Sequence, residues 1–445
     1  MHRREQNNRD EPVATLKGKD ERKLLRAVKE LFNIKALLVP KTIGEIPKDT
    51  YFERELRLGN NKTIFLTDSG LTSFRAVVEI LDKNDFFDGL ADFSDIWSAW
   101  RKSVENWLSN GQQPEDSDEV LNAISEHVAQ NIDNHPFAVP LFGIELEGID
   151  SFALGAMTVM RFSEDALDAL GVEHKHADIP LFVDQFKNHL WLKGTSRGTP
   201  RIAEQRFSAQ AALTVGMLAI TAASMHEHGA NGFRIGTIMT AEEAAGRSVW
   251  FSWNDKERSL VSHFASPRGQ SLSVNKALGD ESDIVRLIYR AFTILQASDR
   301  SELEEAIAKA VYWYSDAHRD PVFAMKLVKY WSCVEAFFSF EKESITHSVS
   351  AGLASILVFG GFRFVPLSQY KNLKTEIASL YKLRSQSVHR GSYMHTTGLD
   401  VAKFSQWVAW MLVSMVELVE QGYTTLKEVK AQTERLDRLA APQRS

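Results

Sequence analysis

From Ser282 onward, apolar residues recur every three or four positions through six successive segments. A chain patterned in this way hides its apolar stripes by packing helix on helix. The segments run over 284–295, 303–315, 322–340, 349–359, 370–389 and 401–420. Pro321 suits a helix start and Gly391 a helix stop. A helical bundle over 282–430 is therefore predicted. Phe359-Gly-Gly-Phe362 reads as a turn between two of its helices. The stretch 404–416, with Trp407, Trp410 and Met411, is apolar nearly all round and reads as bundle core, part of which could form a seam between two copies.

The upstream texture differs, and the fold class expected is α+β: a mixed α/β N-terminal region followed by an all-α bundle. Residues 1–20 are polar and are expected to be a disordered tail. The region 21–135 reads as mainly helical, with Leu24, Leu25, Val28, Leu31 and Phe32 at helical spacing and an acidic linker over 112–119. The region 136–275 reads as β-rich and mixed, a possible sensor. Within it 137–148 turns and alternates like strands, and 151–162 is expected as a hairpin partner with its turn near 148–150. Short strands are also expected within 232–239, 248–253 and 260–264, with a helix over 207–225 packed on the sheet. No internal repeat of fixed period is present.

The formal net charge of −6 argues against a chain that coats nucleic acid or anionic membrane without specificity, while leaving room for a local basic patch. Cys333 is the single cysteine, so an internal disulfide framework and a thiolate-rich zinc site are excluded. Its apolar surroundings suit a buried structural thiol. The charged N-terminus lacks a secretory apolar core. The stretch 207–225 reaches the length of a membrane span, yet Ser208, Gln210, Thr214, Thr221 and Ser224 mark it as a buried helix of a soluble domain. A cytoplasmic protein without a membrane partner is the expectation. Glu173-His-Lys-His-Ala-Asp178 and His226-Glu-His228 have metal-like spacing but read as exposed loop or helix-end residues, so no metal site is assigned. His347 reads as a residue of a helix start. Phosphate-loop, dinucleotide and nucleophile-elbow motifs are absent, and no cofactor is expected.

The chemically informative segment is the helix through Tyr370. Its stripe runs Leu373, Ile377, Leu380, Arg384, Val388, so an arginine stands where an aliphatic residue belongs. A guanidinium there needs a carboxylate, carbonyls, a second subunit or a bound anion. His389 follows five residues later. On an ideal helix two such positions point about 140° apart, so both face one cleft only if the helix ends between them or a second subunit completes the site. The pair supplies what metal-free RNA cleavage requires: a histidine to move the 2′-hydroxyl proton, and an arginine for charge growing on the phosphorane. Lys371, Lys374, Lys382 and Arg390 surround it against Glu376 alone, a patch for RNA backbone in which Lys382 and Arg390 are the nearest contacts. Glu335 lies on its own helix's stripe with Leu327, Trp331 and Phe338. It either orients Arg384 or His389, or forms a purely structural ion pair. His395 reads as a loop residue.

The segment Leu380-Tyr-Lys-Leu-Arg-Ser-Gln-Ser-Val-His-Arg-Gly391 resembles the Arg-x4–6-His signature of the HEPN superfamily and, more narrowly, the ApeA-like HEPN domains. Lys326–Phe338 resembles that family's helix with an acidic residue before small and large apolar positions, and Ala306–Ser315 matches in texture. The resemblance spans about 290–425. It implies a bundle of four or five helices that forms a homodimer, with two Arg/His pairs lining a shared cleft. It places the family's catalytic arginine and histidine on Arg384 and His389. The polar position after the arginine falls on Ser385, a weaker hydrogen-bonding residue than the family's usual Asn, Asp or His. It further implies a toxin-like or anti-phage endoribonuclease acting on RNA, with a protein or phage-derived trigger. The alternative is a non-catalytic HEPN module that binds RNA, nucleotide or a protein partner.

Overall fold

The computed structural model describes residues 16–40, 51–59, 62–162, 189–225, 232–237, 248–254, 259–265, 271–275, 283–297, 299–339, 345–390 and 396–440. The protein is mixed α and β: every described strand lies before residue 276, and among the described residues from 283 onward the regular structure is helical, with a single 3₁₀ turn. The chain divides into two compact units, 1–135 with 195–207, and 136–194 with 208–445. The β-rich region and the C-terminal helices therefore fall in one unit.

The first unit packs α1 (Gly18–Leu31), α3 (Asp68–Lys83), α4 (Phe93–Asn110) and α5 (Ser117–Ala129) with a short antiparallel sheet in the order β1-β3-β2. Those strands are Leu37–Leu38, Thr63–Leu66 and Glu55–Arg57, the last preceded by the single-turn α2 (Tyr51–Arg54). Leu24, Phe74, Val77 and Trp100 are fully buried in its core. Helix starts are set by side chains that accept otherwise unpaired N–H groups: Thr67 for α3, Asp92 for α4 and Asp116 for α5. The acidic stretch expected as a linker over 112–119 is thus partly a helix beginning. Asp116 accepts the Glu119 N–H at 2.9 Å, and Asp118 and Glu119 stand in the first turn, where the helix dipole favours negative charge.

Strands β4 (Asp133–Phe142), β6 (Ser151–Leu154), β7 (Met157–Arg161), β8 (Leu190–Gly198) and β9 (Gly236–Thr237), most of whose residues belong to the second unit, form a sheet in the order β6-β7-β8-β4-β9. β5 (Ile144–Glu147) pairs in parallel with β12 (Leu272–Asn275), and β10 (Ser248–Asn254) pairs with β11 (Ser259–Ala265). Here the hairpin expectation is corrected. Segment 151–162 is no single strand paired back across 148–150; it is itself the hairpin β6–β7. Its turn falls at Gly155, whose φ of +60° is the left-handed conformation glycine adopts without strain.

The helices are α6 (Pro200–Met225), α7 (Asp283–Gln296), α8 (Glu302–Arg319), α9 (Phe323–Phe338), α10 (Ile345–Phe359), α11 (Tyr370–Arg390), α12 (Gly398–Glu420) and α13 (Leu426–Ala440). α8 packs on α9, α10 on α11 and α13, and α12 on α8 and α9. From residue 208 on, α6 belongs to the second unit and runs among the bundle helices: Ser315 donates to the Ala212 carbonyl, and the Trp410 indole donates to the Ser224 carbonyl at 3.1 Å. At Gly216 an added Cβ would come within 2.7 Å of Ser315 Cβ, so glycine sets how closely α6 approaches α8. Among the described residues α6 is the one helix long and apolar enough to cross a membrane, and 67% of its apolar window is buried inside the protein. Cys333 is buried, its thiol 3.2 Å from the Ala310 carbonyl.

Candidate active site on the Arg384 helix

Along α11 the buried positions are Tyr370, Leu373, Ile377, Leu380, Tyr381 and Ser387. Val388, expected on the buried stripe, is 49% exposed. The reason is helical phase: each four-residue step overshoots a full turn by about 40°, so after Leu380 the inward face passes through Tyr381, Arg384 and Ser387.

Arg384 Nη2 donates to Glu335 Oε2 of α9 at 3.1 Å, and both side chains are about one-fifth exposed, at 22% and 20%. The Tyr381 hydroxyl donates to the other carboxylate oxygen, Oε1, also at 3.1 Å. The guanidinium carbon lies 5.6 Å from the centre of the Tyr381 ring, and Trp331 meets that ring edge-on at 4.9 Å. Trp331 in turn packs on Phe404 of α12. Burial, followed by the nearby Glu335 carboxylate, raises the Tyr381 hydroxyl above the ordinary tyrosine value, against an opposing effect of Arg384. Tyr381 therefore stays protonated and acts as a donor. One carboxylate is gripped from two sides, and it fixes the arginine.

Arg384 Nε and Trp331 Nε1 are buried without a hydrogen-bond partner among the described residues. Leaving a buried donor unmet costs about 1–3 kcal/mol, a cost that a leucine at 384 would avoid. Beyond the one bond to Glu335, the Nη groups retain N–H donors that a phosphate oxygen can accept.

α11 continues without interruption through position 389, so the helix does not end between Arg384 and His389. Of the two geometries open from sequence, the one with a helix end between the two residues is not the one adopted. The side chains of His389 and Arg390, and the whole of Gly391 and His395, lie outside the described residues. Ser385 is half-buried and Lys382 exposed.

The basic patch is smaller than its sequence suggests. Lys374 donates to Asp437 at 2.7 Å, and Glu376, expected to stand alone, is paired with Lys403. Asp437 also accepts from the Tyr370 hydroxyl at 2.7 Å, and His347, exposed in the first turn of α10, lies 4.0 Å from its other oxygen. These contacts tie α13 to α10 and α11. Tyr381 was the residue that sequence reading left without a role. Its signal was present, three positions before Arg384 and so on the same face.

Both histidine–carboxylate motifs, at 173–178 and 226–228, lie outside the described residues. Among the described residues no three His, Cys, Asp or Glu side chains gather as a metal site would require. No protein-family model matches the chain, and neither a curated protein nor a solved structure matches it.

Proposed function

We propose that the chain is a HEPN-type endoribonuclease that cleaves RNA by 2′-hydroxyl attack, with Arg384 and His389 as its working pair. The observation that carries this reading is an arginine held on the inward face of α11, fixed by Glu335 and Tyr381, with donors to spare and a histidine five positions further along the same helix. In the step, His389 takes the proton of the ribose 2′-hydroxyl and the 2′-oxygen bonds to phosphorus. The bond to the 5′-oxygen breaks, and that oxygen takes a proton from a second copy's histidine or from water. Arg384 stabilises the charge on the non-bridging oxygens during the transfer. A homodimer supplies the second histidine and resolves the angular separation of the two positions. The biological role that goes with this chemistry is toxin-like or anti-phage defence, with the upstream β-rich region sensing a protein or phage-derived trigger.

The ion pair with Glu335 favours a second reading. In it Arg384 is structural, and the bundle binds RNA, nucleotide or a protein without cutting. Product analysis separates the two. Cleavage should yield 2′,3′-cyclic phosphate and 5′-hydroxyl ends and persist in excess EDTA. Uncut RNA, or products with 3′-hydroxyl ends, would contradict the proposal.

A further inference from the structure

The turn joining α10 to α11 carries more than a connection needs. Its Phe364 ring lies on Trp410 of α12 with centroids 4.8 Å apart and planes 3° from parallel. Phe362 stacks on Phe364 at 5.2 Å and 21°. Three rings thus form one column, in the offset-stacked arrangement that aromatic pairs favour. The column ends at the half-buried Phe362, whose far face meets no further ring or cation among the described residues.

The column is held in place from several sides. The Trp410 indole N–H is committed to the Ser224 carbonyl, which anchors the base. Arg363, between the two phenylalanines, has φ +47°, a sparsely populated conformation for arginine that persists only where neighbours enforce it. The enforcing bonds are Arg363 N–H to Gly360 O and Val365 N–H to Leu357 O, both 3.1 Å, and Gly361 N–H to Glu417 Oε2 at 3.2 Å. A Cβ on Gly361 would fall 1.9 Å from Glu417 Oε1, so a side chain there would displace the carboxylate that holds the loop to α12. Glu417 is committed to this bond and to Gln421. The Arg363 side chain is exposed, and its guanidinium has no hydrogen-bond or ion-pair partner among the described residues.

We propose that the Phe362–Phe364–Trp410 column with Arg363 is a platform for an unpaired base of single-stranded RNA, the base stacking on Phe362 and the adjoining phosphate meeting Arg363. This rests on the reading of the chain as an RNA-cleaving enzyme and specifies its substrate class as unpaired strand. Every base offers a face to an aromatic ring, and only unpaired bases can leave their own stack to use it. The pre-set loop limits the ordering needed on binding.

The test is fluorescence anisotropy of a labelled short oligoadenylate, using full-length protein carrying His389→Ala so that the strand stays intact. Adding Phe362→Ala should weaken binding roughly 5- to 150-fold, the range of one stacked base. Phe362→Leu should lose as much, whereas Phe362→Trp should bind like the parent. Arg363→Gln should weaken binding and flatten its salt dependence. The same strand annealed to its complement should bind alike with or without Phe362. Parent protein that fails to bind the single strand, Phe362→Ala that binds like the parent (as when a protein partner uses the column instead), or leucine serving as well as tryptophan would each overturn the platform. Tighter binding of the deoxy strand would overturn its assignment to RNA. Failure of the catalytic reading looks different: Phe362-dependent binding by a wild-type chain that never cleaves.

Discussion

At position 384 the stripe of α11 calls for an aliphatic side chain and holds a guanidinium, and the cost of that choice is measurable. Arg384→Ala leaves Glu335, only 20% exposed, with Tyr381 as its remaining partner, and should destabilise the second unit by about 1–3 kcal/mol. Glu335→Gln should cost less, and the two losses should fail to add, because each single change already removes the shared ion pair. Denaturant titration of the four-member cycle measures this; strict additivity would mean the pair contributes nothing. A second residue makes stability depend on pH. His318, its ring surrounded by protein, accepts the Ile235 N–H at Nε2 and is pushed down to about 3, first by burial and then by Lys326. Lys326 is itself lowered to about 8, mainly by its own burial and also by Arg234. The folded value lies below the unfolded one of about 6.5, so the contribution of neutral His318 is full above that pH and is lost as pH falls toward 3. The limiting slope is about 1.4 kcal/mol per pH unit. The gap in melting temperature between wild type and His318→Gln should therefore narrow between pH 7 and pH 5; a constant gap would show that His318 does not titrate in this way.

At the scale of elements, the tie between α13 and the helices beneath it gives a local prediction. Asp437→Asn replaces the carboxylate that accepts from both Tyr370 and Lys374. It should raise hydrogen exchange in α13 while leaving α8 and α9 protected; uniform exchange across the bundle would contradict so local a tie. α13 also shows what periodicity cannot reveal. Only Val429 and Thr433 are buried on it, too sparse a stripe to be recognised, whereas α8 to α12 bury full stripes and are legible within a few residues of their ends. The β6–β7 hairpin was misplaced because Gly148 and Gly155 both adopt positive φ, and strand alternation alone does not say which one reverses the chain. At the site, Arg384 and Glu335 were legible as polar breaks in two apolar stripes. The part played by Tyr381, and the neutralisation of Lys374 by Asp437, depend on contacts across 46 and 63 residues that no local pattern encodes.

At the scale of the whole molecule, the proposed enzyme is a pair of chains whose clefts each combine one copy's arginine with the other's histidine. Mixing inactive Arg384→Ala protein with inactive His389→Ala protein, under conditions that let subunits exchange, should restore part of the cleavage, because the mixed dimer contains one intact combination. No restoration despite demonstrated exchange would place both groups in one copy. The central claim, that these two residues cleave RNA, is tested most directly by single-turnover cleavage of a labelled single-stranded RNA in EDTA. Wild type should cleave, His389→Ala should be slower by roughly 10²–10⁴-fold and Arg384→Ala by roughly 10²–10³-fold, with His389→Ala folded as stably as the parent. Cleavage by His389→Ala at the wild-type rate would contradict the account.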